Sequence, residues 1–200
     1  MRNNFILYED NASINYKHLL RLYSIAEYNR KNRMYDSINF NTIDELTKRI
    51  NGVFQESTIS KTTLNNFLND KGTSKRHEYK YFSYDKDAKK ITLNVDFRSG
   101  KESFVILSDK ECSFLIAQDD ELLIRYFIYI KHYCGSSPSG KTDFTAKQFL
   151  EACGLSSSSG NNLTRISNYN SILSASGLIR IEKTRDNNGH CRNIYSIPLQ

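Results

Sequence analysis

Apolar positions recur three and four residues apart in some stretches of the chain and alternate in others, and the two rhythms follow in the same order twice. Leu19, Leu20, Leu22, Tyr23, Ile25 and Ala26 mark an amphipathic helix over Tyr16 to Asn29, which the basic, Asn-rich stretch Asn29 to Arg33 ends or extends. Asn41 or Thr42 caps the next helix, where Ile43, Leu46 and Ile50 form the stripe and Asp44 and Glu45 suit the positive N-terminal end. It stops at Asn51-Gly52. Ser60 caps a third helix, with Leu64, Phe67 and Leu68 inward and Lys61, Thr62, Thr63, Asn65, Asn66 and Asn69 outward. Alternation through Tyr79 to Tyr84, a turn at Asp85 to Lys89 and alternation at Ile91, Leu93 and Val95 predict a hairpin.

The polar segment Asp96 to Glu102, with Gly100, predicts a boundary, giving units 1–101 and 102–200. In the second unit Phe104 to Leu107 reads as a short strand, and Ser108 caps a helix with Asp109 and Glu111 in its first turn. Asp119-Asp120 caps a helix from Glu121 to Tyr133, apolar on more than one side and expected at the core. After a Gly/Ser/Pro loop, Gly135 to Lys141, Thr145 opens a helix that Phe149, Leu150 and Ala152 carry inward to Gly154. Ser156 to Ser159 offers caps for a further helix, with Leu163, Ile166, Tyr169 and Leu173 inward and Asn161, Asn162, Thr164, Arg165 and Asn168 outward. Gly177 stops it. Leu178, Ile179 and Ile181 then start a strand that turns at Asp186-Asn187-Asn188-Gly189, a strong hairpin signal, and returns over Ile194 to Ile197. The expected class is α+β and helix-rich, two tandem winged helix-turn-helix domains forming an internal repeat of architecture.

Charge sharpens this picture. The formal net charge is +6 and the pI about 9.0, a moderate basic excess that suits a polyanionic partner. From Ser57 to Lys90 eight basic residues face four acids, with Lys86, Lys89 and Lys90 around the first hairpin's turn. Around the second stand Lys183, Arg185, His190 and Arg192 against Glu182 and Asp186, so its tip can meet phosphates. The chain is rich in Asn, Ile, Lys and Tyr and lacks Trp, which points to AT-rich coding and a bacterial or mobile-element source.

Other chemistry is thinly represented. Cys112, Cys134, Cys153 and Cys191 lack the paired short spacing of a zinc finger and read as free thiols. The N-terminus has too short an apolar run for a signal peptide, and no stretch approaches a membrane span, so a soluble cytoplasmic protein is expected. His18, His77, His132 and His190 are isolated from any local metal or acid–base pattern, and the tyrosines read as packing residues. Gly135 to Thr142, GSSPSGKT, matches a phosphate-cradling loop letter for letter. Its context is wrong: a helix precedes it where a strand is needed, and the next helix starts late, near Thr145. We expect no catalytic residues, metal or cofactor.

The run FVILSDKECSFLIAQDDELLIRYFIYIKHYCG, followed by a short helix, a Ser-rich cap, a polar helix and a hairpin, resembles the winged-helix modules of plasmid and phage replication initiators and DnaD-like replication proteins of Gram-positive bacteria. TIDELTKRI and ISKTTLNNFLND resemble the helix-turn-helix of the same group. The resemblance implies origin or operator binding through the third helix of each unit, at Lys61, Thr62, Thr63, Asn65 and Asn66 and at Asn161, Asn162, Arg165 and Asn168. Asn pairs with an adenine edge and Arg with a guanine edge, so these faces suggest double-stranded sites containing A·T pairs. Two other classes stay open: a protein-interaction module that dimerises or grips a replication partner, and a nucleotide-driven enzyme resting on GSSPSGKT alone.

Overall fold

The computed structural model describes residues 3–8, 15–31, 33–69, 81–93, 103–185, 189 and 191–198, with backbone only at 3, 5 and 7. The chain is α+β and helix-rich, with antiparallel sheets throughout. Its described residues form two compact units, one holding 3–7 and 15–124, the other holding Tyr8 and 125–198. The division therefore falls elsewhere than the expected 101/102. The reason is pairing: β1 (Asn3–Leu7) runs antiparallel to β6 (Phe104–Ser108), Asn3 opposite Ser108, so residues beyond 102 belong with the N-terminus.

In the first unit α1 (Tyr16–Ile25) starts at Asn15, whose Oδ1 accepts the His18 N–H at 2.9 Å. The Glu121 carboxylate accepts from the Tyr16 and Lys17 N–H groups at 2.9 and 3.0 Å, satisfying two more orphan donors. Tyr16, Leu19, Leu20, Leu22 and Tyr23 are buried. The helix does not reach Asn29. Ala26 turns extended, and the chain enters a hairpin of β2 (Glu27–Asn29) and β3 (Met34–Asn39), which the helical reading of this stretch missed. Burial at Asp36, Ile38 and Phe40, every second residue, is the strand signal it passed over.

Two helices, α2 (Ile43–Val53) and α3 (Lys61–Asn69), follow with the expected caps: Thr42 Oγ1 accepts from Glu45 N–H at 3.1 Å, and Ser60 Oγ from Thr63 N–H at 3.0 Å. Leu46, Ile50, Leu64, Phe67 and Leu68 are buried. The hairpin of β4 (Phe82–Asp85) and β5 (Lys90–Leu93) then docks on β3, giving the order β2-β3-β5-β4, with Ile38, Ile91, Phe82 and Leu93 on its buried face. Val95 and Tyr79 lie outside the described residues. After β6, the short helix α4 (Asp109–Ala117) opens on a reciprocal capping box between Ser108 and Glu111.

Helix α5 (Glu121–Ser136) is capped by Asp120, whose Oδ1 accepts from Leu122 N–H at 3.0 Å, and the unit division falls within it. It runs past the expected end at Tyr133, through Gly135. Tyr126 to Ile130 are buried throughout, the all-round burial its apolar content requires. The second unit adds β7 (Lys141–Asp143), unforeseen in the sequence, then α6 (Ala146–Ala152), α7 (Gly160–Ala175), β8 (Arg180–Arg185) and β9 (Cys191–Ser196). Gly154 and Gly177 take positive φ, 68° and 73°, at the ends of α6 and α7, which explains why glycine stops both. The strands start two residues later and three earlier than read, at Arg180 and Cys191. The sheet order is β7-β9-β8.

Part of the order of elements recurs in both units. In each a helix is followed by a strand, β3 or β7, two further helices and a hairpin whose last strand lies between that strand and its own partner, while β1, β2, β6 and α4 belong to the first unit alone. An aromatic group of Tyr126, Phe144, Phe149, Tyr169 and Tyr195 fills the second core, Phe144 stacked on Tyr195 with centroids 4.6 Å apart. The Tyr126 hydroxyl, its pKa raised by burial, donates to Asn170 Oδ1 at 2.7 Å.

Candidate nucleic-acid interface

Helix α3 buries Leu64, Phe67 and Leu68, so its period leaves Lys61, Thr62, Thr63, Asn65 and Asn66 exposed together on the opposite face. Two side chains fix the turn that aims it. The Asn51 amide binds Ile59 twice, donating to its carbonyl at 3.0 Å and accepting its N–H at 2.8 Å. Arg21, only 1% exposed, donates through Nη2 to the Ser57 carbonyl at 2.6 Å and hydroxyl at 2.9 Å, and its Nη1 lies 3.0 Å from His18 Nδ1. Burial pulls the guanidinium down to about 10. Burial, then Arg21 and Lys17, pulls His18 down to about 4, so the imidazole is neutral and accepts from Arg21. Sequence reading treated Asn51 only as a helix stop and Arg21 not at all.

At the first hairpin's tip, Asp85 Oδ1 accepts the N–H groups of Asp87 and Ala88 at 3.0 and 2.8 Å, a side-chain turn that shapes the loop. Lys86, Lys89 and Lys90 are exposed around it. Lys71, Lys75, Arg76 and Lys80 lie outside the described residues.

On α7, Ile166, Tyr169 and Leu173 are buried, and Asn161, Thr164, Arg165 and Asn168 are exposed. Leu163 departs from the expected stripe: it is 40% exposed, one turn before the first residue that the core covers. Ser159 is the N-cap, but its side chain makes no capping bond, contrary to expectation. Asn162 is half-buried and donates to the Ser156 carbonyl at 2.9 Å, holding the α6–α7 turn, and Thr164 Oγ1 donates within the helix to Gly160 at 3.0 Å. Arg165 donates through Nε to the Tyr169 hydroxyl at 3.1 Å.

Pleating separates the second hairpin's charges onto two faces. Lys183 and Arg185 share the side of β8 that carries Ile181, which pairs with buried Tyr195 and so faces the core. Beyond the core that side becomes cationic. The opposite side carries matched charges: Lys141 Nζ lies 2.8 Å from both Glu182 oxygens, and Arg192 Nη1 lies 3.2 Å from Asp143 Oδ2. Arg180, exposed on β8, is a cation that sequence reading left out. His190 and Asp186 lie outside the described residues.

GSSPSGKT joins the end of α5 to β7, a helix-to-strand connection opposite in order to the strand-to-helix turn that cradles phosphate. Its lysine is the one paired with Glu182. Among the described residues no cluster of three potential metal ligands occurs and no helix is long and apolar enough to cross a membrane. Comparison with protein-family models, curated proteins and solved structures finds no match.

Proposed function

We propose that the two units are tandem winged helices and that the protein is a cytoplasmic, non-enzymatic, sequence-specific binder of double-stranded DNA, acting in replication initiation or transcription control of a mobile element. One observation carries this reading: a strand, two helices and a hairpin whose last strand pairs with the first recur in both units, and in both the helix before the hairpin exposes a hydrogen-bonding face ahead of basic hairpin residues. Exposed amides and Arg165 supply the groups that read base edges, and Lys86, Lys89, Lys90, Lys183 and Arg185 supply cations for phosphates. Selection of bound sites from random duplexes, then filter binding at two salt concentrations, tests it. A recovered consensus with a steep salt slope is expected; absence of duplex binding at low salt defeats the proposal.

A second reading, a protein-interaction module that dimerises or holds a replication partner, is favoured by Phe104 and Ile106, each 38% exposed on β6. A protein-only adaptor lacks the salt slope, so the same titration separates the two.

A further inference from the structure

The β2–β3 hairpin has no counterpart in the second unit. There the chain passes from α5 to β7 through the turn at 137–140, whereas between α1 and β3 it inserts β2 and the turn residues 30, 31 and 33. Covering the edge of β3 accounts for β2 itself. It does not account for what the hairpin exposes. Tyr28 and Tyr35 are cross-strand partners with ring centroids 5.3 Å apart, and they are 53% and 39% exposed. Beside them Arg30, Lys31 and Arg33 are exposed in the turn, which Asn29 shapes by accepting the Lys31 N–H at 3.0 Å. The hairpin's own acids are directed elsewhere: Glu27 meets Arg49 at 3.2 Å, and Asp36 is buried, 3.4 Å from the Asn29 amide.

Aromatic faces beside clustered cations match a strand whose bases are unstacked, because every base offers a π-face and every nucleotide a phosphate. In a duplex the bases already stack on one another, leaving nothing for the rings. A protein groove does not call for three cations beside the aromatic pair. We propose that the β2–β3 hairpin is a binding site for single-stranded nucleic acid, with Tyr28 and Tyr35 stacking on unpaired bases and Arg30, Lys31 and Arg33 holding phosphates. The site is independent of the duplex-reading faces and does not rest on them.

The test uses the full chain, fluorescein-labelled oligo(dT) of roughly 20 nucleotides, long enough for one site, and a separate labelled duplex, followed by anisotropy. Tyr28→Ser with Tyr35→Ser, and separately Arg30→Ser with Lys31→Ser and Arg33→Ser, are each expected to weaken oligo(dT) binding by at least ~10-fold, the first because each stacked base contributes that order of affinity, the second because three phosphate contacts are lost. Tyr28→Phe with Tyr35→Phe keeps both rings and should stay within about twofold. Duplex affinity should stay unchanged in all three. Should the serine pair misfold by circular dichroism, the charge triple, at exposed turn positions, decides alone. The proposal is overturned if the unaltered chain does not bind oligo(dT), if the folded hairpin variants bind it equally well, if the phenylalanine pair shares the loss, or if duplex affinity falls in step. Duplex binding that persists with no oligo(dT) binding sinks the hairpin site while leaving the duplex reading intact.

Discussion

Arg165 donates to the hydroxyl of Tyr169 one helical turn along α7, and its guanidinium carbon lies 5.8 Å from the centre of that ring. Tyr169 is buried, so an exposed side chain that we propose reads a base edge is oriented by a core residue. Arg165→Ala is therefore expected to cost about 1–3 kcal/mol of discrimination at one base position. Tyr169→Phe, which keeps the packing and removes the hydroxyl, should blur that same position more weakly. Site selection with each variant checks this, and blurring at unrelated positions would refute the linkage.

The two faces of the second hairpin predict unequal cations. Lys183→Ala with Arg185→Ala should weaken binding to all sequences alike and lower the salt slope by about 2. Arg192→Ala should change it less, because Arg192 is paired with Asp143. A salt titration of the two variants in parallel measures the difference; an Arg192 effect as large as the double change contradicts the pleat argument.

His18 makes stability pH-dependent. Its folded pKa, about 4, lies below the ordinary 6.5, so the unfolded chain binds the proton more readily. The stability is complete above pH ~6.5, falls as pH drops toward ~4 and levels off below, by at most about 3 kcal/mol. His18→Gln should flatten that slope. Urea unfolding at pH 7 and pH 5 distinguishes the outcomes, and an unaltered slope in the variant would assign the effect elsewhere.

Asn51→Ala removes both bonds to Ile59 and should destabilise the first unit by about 1–3 kcal/mol. Asn51→Asp retains an acceptor for the Ile59 N–H and loses the donor, so an intermediate effect is expected. Thermal unfolding provides the ranking; an alanine variant as stable as the original chain would show that α3 is aimed without this clamp.

Lys141→Ala should leave DNA binding intact and change stability by less than about 1 kcal/mol, as for an exposed ion pair. Calorimetry with ATP or GTP should show no heat of binding. Nucleotide binding that vanishes in this variant would reinstate GSSPSGKT as a phosphate loop.

The amphipathic helices were legible because burial of Leu46, Ile50, Leu64, Phe67 and Leu68 repeats at their own period. Strands shorter than that period were not. β7 is three residues, too few for alternation to show, and β2 is equally short. Leu163 has the right spacing to Ile166, yet spacing carries no information about where the core ends along a helix axis. The described candidate site residues, Asn162 excepted, were legible as exposed faces, but the couplings around them were not: Arg192 with Asp143, Lys141 with Glu182 and Arg21 with Ser57 join residues that only the folded chain brings together.

The pairing of β1 with β6 also governs how the protein is made. Synthesis delivers the N-terminal strand first, but its partner begins at Phe104, about 100 residues later, so at ~5–20 residues per second the ribosome needs at least ~5 s to supply it. Until then β1 has no native partner, and an N-terminal fragment ending near residue 101 never acquires one. The first unit is thus completed only after residues beyond 104 have been made, so its earliest-made strand is paired once most of the unit has been synthesised.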